Sequence, residues 1–219
     1  MNNNKRDEQT TPYSSPVGRR VQEASPWRHI IGVSLDHAAG VICTLRARVD
    51  HFPTEPPTLV CHCVNLERHN GMASDIAREV GLIRYRDDVV VDRSVIGQSG
   101  AQFFRGLVPW ASRFAPVEIT DSKDKELYRG DLINVLIAAL QGEIDGGKIE
   151  VTIPKDLPDA ATLMAEIKSA PGTEELSQLF RSVALAVWRA CKVRKQIENS
   201  DRPAPRVLLG YPNFKRRPG

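Results

Sequence analysis

VVVDRSVIGQ, residues 89–98, decides the fold. Three consecutive valines, Val89, Val90 and Val91, favour a strand buried on both faces, because β-branched side chains suit a pleated surface and no position is left for solvent. The run delivers one acid, Asp92, at its end, and a polar, glycine-containing turn follows before a new segment near Ser99. In open α/β sheets, sites form beyond the carboxyl ends of the strands, which is where this carboxylate falls. Two readings of Asp92 stand side by side: a site acid, or a residue that starts a turn or caps the next helix, a common task for Asp. On pattern alone the turn or cap is the simpler.

Upstream, HIIGVSLD (29–36) and VICTLRARV (41–49) are two apolar runs separated by HAAG, a hairpin pattern. TLVCHCVNLER (58–68) supplies a third strand after the proline-rich FPTEPP, and ASDIAREVGLI (73–83) has apolar residues at helical spacing. Downstream, the pattern predicts a helix from about Ser99 to Leu107, a strand PVEIT (116–120) and a helix LYRGDLINVLIAALQ (127–141). A strand KIEVTIP (148–154), a helix DAATLMAEIKSA (159–170) and a long last helix from about Glu174 to Lys195 complete it. Antiparallel strands first, then strands alternating with helices, predict a mixed α/β fold with one central sheet flanked by helices.

The 219 residues suit one domain with tails, and 15 prolines point to irregular ends. The expected division is a disordered tail over 1–28, a domain over 29–197 and a flexible basic tail over 198–219. No apolar run is long enough to cross a bilayer, and the N-terminal stretch lacks the apolar core of a signal peptide, so the expected location is cytoplasmic, without membrane association. Four cysteines in such a chain argue against a disulfide framework. Cys61-His62-Cys63 with His69 invites a zinc reading, but period two puts both cysteines on one strand face and His62 on the other, and no second pair with finger-like spacing exists. Buried strand cysteines are the simpler account. Net charge is only +3, with basic clusters at Arg19-Arg20, at Arg189, Lys192, Arg194 and Lys195, and at Lys215-Arg216-Arg217. These fit phosphate contact or solvated helix ends equally well.

In this order the motifs resemble the nuclease domain of phage terminase large subunits, which has a ribonuclease H-like fold. IIGVSLDHAAGVICTL resembles the family's first strand and hairpin. VVVDRSVIGQ resembles its strand ending in Asp before a glycine-rich turn, at Asp92 and Gly97. YRGDLINVL, with Arg129 and Asp131, resembles its basic-Asp-Leu helix, ATLMAEIKSA its Leu-x-x-Glu-Leu helix, and SVALAVWRA (182–190) its final Trp-containing helix. The resemblance spans residues 29–195 in unbroken order. It implies a ribonuclease H-like mixed sheet, DNA as a partner together with other phage packaging proteins, and Mg²⁺- or Mn²⁺-dependent DNA cleavage between clustered carboxylates.

This chain departs from that pattern at the acids. The family's first Asp falls on Ser34, and its terminal Asp-Asp pair, counted back from Trp188, on Ser177 and Gln178. Only Asp92 keeps its place. Magnesium takes hard anionic oxygens, for which serine and amide are poor replacements. A rebuilt site would draw on Asp36, two residues beyond Ser34, and on Glu174, about one helical turn before Ser177. The candidate catalytic and metal-binding set is therefore Asp92, Asp36 and Glu174, and impaired or lost cleavage is the simpler expectation. The alternative is a non-catalytic DNA- or protein-binding module of a phage-derived assembly. No segment matches G-x-x-x-x-G-K-[ST], and GQSGAQFFRG lacks the lysine ending, so no ATPase activity is expected. His37 is the type of turn residue that touches a phosphate or has no role. Trp110 and Trp188 are expected to be core or partner-facing.

Overall fold

The computed structural model describes residues 23–83, 88–109, 111, 113–120, 127–144, 147–169 and 176–198. A two-residue strand β1 (Glu23–Ala24) precedes a meander of β2 (Arg28–Leu35), β3 (Ala39–His51) and β4 (Thr58–Asn70). Helix α1 (Ala73–Leu82) leads to β5 (Asp88–Asp92), and α2 (Gly97–Leu107) to β6 (Arg113–Val117). Short strands β7 (Ile119–Thr120) and β8 (Leu127–Tyr128) come before α3 (Arg129–Gln141), which is followed by β9 (Glu143–Ile144) and β10 (Gly147–Thr152). Helices α4 (Ala160–Ser169) and α5 (Gln178–Glu198) close the described chain.

The main sheet runs β6-β5-β2-β3-β4-β10-β9, with β1 beside β3. The meander is antiparallel, β5 and β6 run parallel to β2, and β10 runs parallel to β4. This order and these directions are the ribonuclease H-like arrangement, the fold class expected from the sequence. The strands of Val33 and Val90 lie side by side, with Gly32 opposite Val90 and Val33 opposite Val91. The carboxyl ends of β2 and β5 therefore meet at one edge of the domain.

Alternation divides the core. Val41, Cys43, Leu45, Ala47 and Val49 of β3 join Val90 and the apolar face of α5 in one cluster, while Ile31, Val33, Val89 and Val91 meet α1 and α2 in the other. A bulge puts Val64 opposite no residue of β3, so Cys63 and Leu66 both face the core and Val64 is exposed. Cys61 and Cys63 are buried on the α5 side, as the strand reading requires. Burial pushes the Cys61 thiol well up.

The structure corrects several boundaries. Residues 23–28, assigned from sequence to the N-terminal tail, belong to the domain: β1 pairs with the end of β3, and the Ser25 hydroxyl accepts the Val49 N–H at 2.9 Å. Trp27 then lies over Arg46 and Arg48, 4.8 and 4.5 Å from its ring centre, and edge-on to His62. A polar run had hidden an aromatic clamp. The strand expected at 116–120 is β6 plus β7, broken at Glu118; β6 is an edge strand, where Pro116 costs no central ladder bond. The last helix begins at Gln178 rather than near 174, and it continues to Glu198. Trp188 is half-buried against the α5-side core, whereas Trp110 lies outside the described residues. No helix among the described residues is long and apolar enough to cross a membrane.

Helix α5 packs across β2 and β3 at unusual depth. A Cβ on Gly32 would stand 2.1 Å from the Ser182 carbonyl oxygen and 2.9 Å from the Ala186 nitrogen, both backbone atoms that cannot turn away. Gly32→Ala is therefore expected to lower stability by about 3 kcal/mol, the upper part of the usual overpacking range, read as a fall in the urea midpoint. Gly106→Ala on α2, where a Cβ meets nothing within 4 Å, should instead gain roughly 0.5–1 kcal/mol through helix propensity. Equal effects of the two changes would refute the close-approach account.

Burial first, then Arg46 and Arg48, lower the pKa of His62 from the ordinary 6.5. The folded chain thus takes up this proton less readily than the unfolded chain, and stability falls as pH drops below 6.5. His62→Gln should flatten the dependence of the thermal midpoint on pH between about 7 and 5.5. An unchanged slope would show that His62 is not its source.

Candidate active site

The turn after β5 is built on Asp92. Its side chain is completely buried, and Oδ1 accepts the Ser94 N–H at 2.9 Å and the Ser94 hydroxyl. That hydroxyl accepts the Ile119 N–H at 3.1 Å, tying the turn to β7. Gly97, with φ of +63°, supplies the left-handed residue with which α2 opens. The helix itself starts from Ile96 without a side-chain cap, so of the two local tasks expected for Asp92 the turn is the one it performs.

The other carboxylate oxygen, Oδ2, meets Arg181 of α5: Nη1 donates to it at 3.2 Å. One strand length back, Asp88 at the start of β5 pairs with Arg189, Nε to Oδ2, at 3.4 Å. Both acids face α5 because they alternate with Val89 and Val91, which face the opposite core. A buried carboxylate is tolerated only when paired and hydrogen-bonded, and Asp92 is both.

The other positions at which the resemblance puts acids carry no charge. Ser34 is wholly buried, one step beyond the Val33–Val91 pair, and its Oγ has no hydrogen-bond partner among the described residues. Ser177 caps α5: its Oγ accepts the Phe180 N–H at 3.1 Å and donates to Glu166 of α4. Asp36 lies past the end of β2 in an exposed turn, where Oδ1 accepts the His37 N–H at 2.7 Å. Glu174 lies outside the described residues. Asp36 and Arg181 nevertheless share one cleft of about 360 Å³, lined also by Ser94, Ile119, Arg129 and Leu176. Asp36 and Asp92 thus reach the same end of the sheet, with Arg181 between the cleft and Asp92. Arg181 is the site residue missed by sequence reasoning; its signal was spacing, since it falls about one helical turn beyond Ser177 and Gln178.

The described residues do not fit the metal pair implied by the resemblance. Asp92 has both oxygens engaged, one by a guanidinium whose fixed charge repels a second cation. Glu166 holds the Ser177 hydroxyl, and Asp36 stands on the rim. Among the described residues no three His, Cys, Asp or Glu side chains converge to hold a metal ion.

Removing Arg181 alone should be costly, because it strands a buried carboxylate. Arg181→Ala is expected to lose about 3 kcal/mol, whereas Arg181→Ala combined with Asp92→Asn should recover more than half of that loss. Urea unfolding of the four proteins gives the coupling; strictly additive effects would mean the pair is not formed in solution.

No family model matches the chain, and no curated protein matches it. Among solved structures the chain is similar to the Thermus thermophilus RuvC structure, with TM-score 0.37 and 12% identity over 77% of this chain and 97% of that one. The fold assignment stands on the strand order itself.

Proposed function

We propose that this chain is a homologue of the terminase nuclease domain in which metal-dependent DNA cleavage is lost and DNA binding at the same cleft remains. The observation that carries this reading is the Arg181–Asp92 pair. A guanidinium neutralises the acid, as a divalent ion would, but it offers no coordination position at which water is activated. Ser34 and Ser177 remove the other charges a metal pair needs, and the hydroxyl of Ser177 is committed to capping α5. Arg181 thus keeps the geometry of an acidic site while withdrawing its chemistry. The partners consistent with this reading are DNA and, for a chain derived from a packaging machine, other packaging proteins.

Two measurements test it. Purified protein incubated with supercoiled plasmid and Mg²⁺ or Mn²⁺ should leave the DNA intact, as should Asp92→Ala. Millimolar Mn²⁺ should leave the thermal midpoint of wild type and of Asp92→Asn unchanged, since a ligand binding only the folded state at a hundredfold excess over Kd would add about 2.7 kcal/mol. Nicking that needs both metal and Asp92, or a Mn²⁺-induced rise that vanishes in Asp92→Asn, would restore the rebuilt site of Asp36, Asp92 and Glu174.

A further inference from the structure

We infer that Cys43 and Cys63 are a reversible redox pair, closed to a disulfide by a peroxide, which acts on the seat of α5. The two sulfurs are buried on the α5 side of β3 and β4 and lie 3.8 Å apart, in contact, although they are 20 residues apart in sequence. Cys63 stands opposite Leu45, so Cys43 is its diagonal neighbour on the same face of the sheet.

This pair differs from the other two thiols. Cys43 donates its S–H to Cys63, which pushes the Cys43 thiol well above its ordinary value and lowers that of Cys63. Cys63 therefore yields the thiolate, the form that attacks an oxidant. Burial pushes the Cys61 thiol well up and that of Cys191 up to about 11. Cys63 also adjoins the weak point of the ladder. Val64, the next residue, is bulged out opposite no residue of β3 and is 39% exposed. Opening of that bulge gives a small peroxide its path to the Cys63 sulfur.

The chemistry closes in two steps. The Cys63 thiolate attacks hydrogen peroxide: an S–O bond forms as the O–O bond breaks, and hydroxide leaves to become water. The Cys43 sulfur then attacks Cys63 Sγ. The S–O bond breaks, and the hydroxyl leaves as a second water with the Cys43 proton. Two thiols have given up two electrons, and the peroxide has taken them.

Closing the bond moves the sheet. Diagonal neighbours stand roughly 7–8 Å apart at Cα, beyond the span of about 6.8 Å that a relaxed disulfide reaches. Cys43 is in turn the register partner of Gly32, the residue against which the α5 backbone rests. A pull of β3 toward Cys63 thus reaches the contact of Ser182 and Ala186 with β2. A bond made under such strain is readily reduced, which suits a switch rather than a permanent staple.

The test treats the full chain with hydrogen peroxide and then labels the remaining thiols with iodoacetamide in denaturant. Of the four cysteines, Cys61 and Cys191 should label and Cys43 and Cys63 should not. The intact mass should fall by two hydrogens. Fragmentation of the unreduced digest should join the peptides of Cys43 and Cys63, and Cys63→Ala should abolish the cross-link while Cys43 regains its label. Amide hydrogen exchange over residues 179–187 should be faster in the oxidised chain and should return to the reduced rate in millimolar glutathione. Four labelled thiols after peroxide would overturn the inference, as would a bond between Cys61 and Cys191 or sulfinic acid at Cys63 without a cross-link. A Cys43–Cys63 bond that resists glutathione, or that leaves exchange in α5 unchanged, would defeat the switch.

Discussion

The depth at which α5 sits on the sheet governs the rest of the structure. Gly32 lets the helix backbone approach β2 until Ser182 and Ala186 occupy the space of a side chain. At that depth the arginine beside Ser182 reaches the end of β5. Arg181 and Arg189 are eight residues apart, about 12 Å along a helix, and Asp88 and Asp92 four apart, about 13 Å along a strand. Two ion pairs therefore close in register, one at each end of β5, with the helix running opposite to the strand. A helix lifted by even one methyl group would lengthen both contacts. The packing of a glycine on β2 thus sets the electrostatics of the neighbouring strand, where Asp92 lies two residues beyond the Gly32–Val90 pair.

Burying such pairs is not itself a strong source of stability, since desolvation offsets most of the Coulomb gain. Their value lies in what each side forbids. With Arg181 in place, Asp92 is held as an internal acceptor that organises the Ser94 turn and, through Ser94, β7. Without it, the carboxylate would need another cation or a proton. With both oxygens engaged inside the protein, Asp92 leaves neither of them for a metal ion.

Much of this was legible in the residues. The valine run marked β5, because a strand covered on both faces leaves no polar position, and the hairpin before it fixed the meander. Asp92 was correctly placed at a strand end, and its turn-forming task was visible as an alternative. The partner of Asp92 was hard to read, because Arg181 lies 89 residues away in sequence and its one signal, a spacing of about one helical turn from Ser177 and Gln178, does not say that it faces β5. The start of α5 was misplaced for a related reason. Two glutamates at 174 and 175 look like an N-terminal turn, but Ser177, with its side chain on the Phe180 N–H, is the residue that begins it. Trp27 was hidden by its polar neighbours, since a clamp over Arg46 and Arg48 has no periodicity.

The positions at which the resemblance puts acids also depend on one another, which makes single acidic substitutions there unproductive. An Asp at position 177 could still cap α5, but it would stand where the Ser177 hydroxyl now meets the Glu166 carboxylate, so two like charges would face each other at bonding distance. An acid at position 34 would enter a fully buried place beside Asp92, with one guanidinium to answer both. Removing Arg181 first leaves Asp92 buried and unpaired. Each step toward a metal site therefore destabilises the fold unless the others accompany it. Asp92 itself has two structural tasks in this fold, the turn it forms with Ser94 and the ion pair it makes with Arg181.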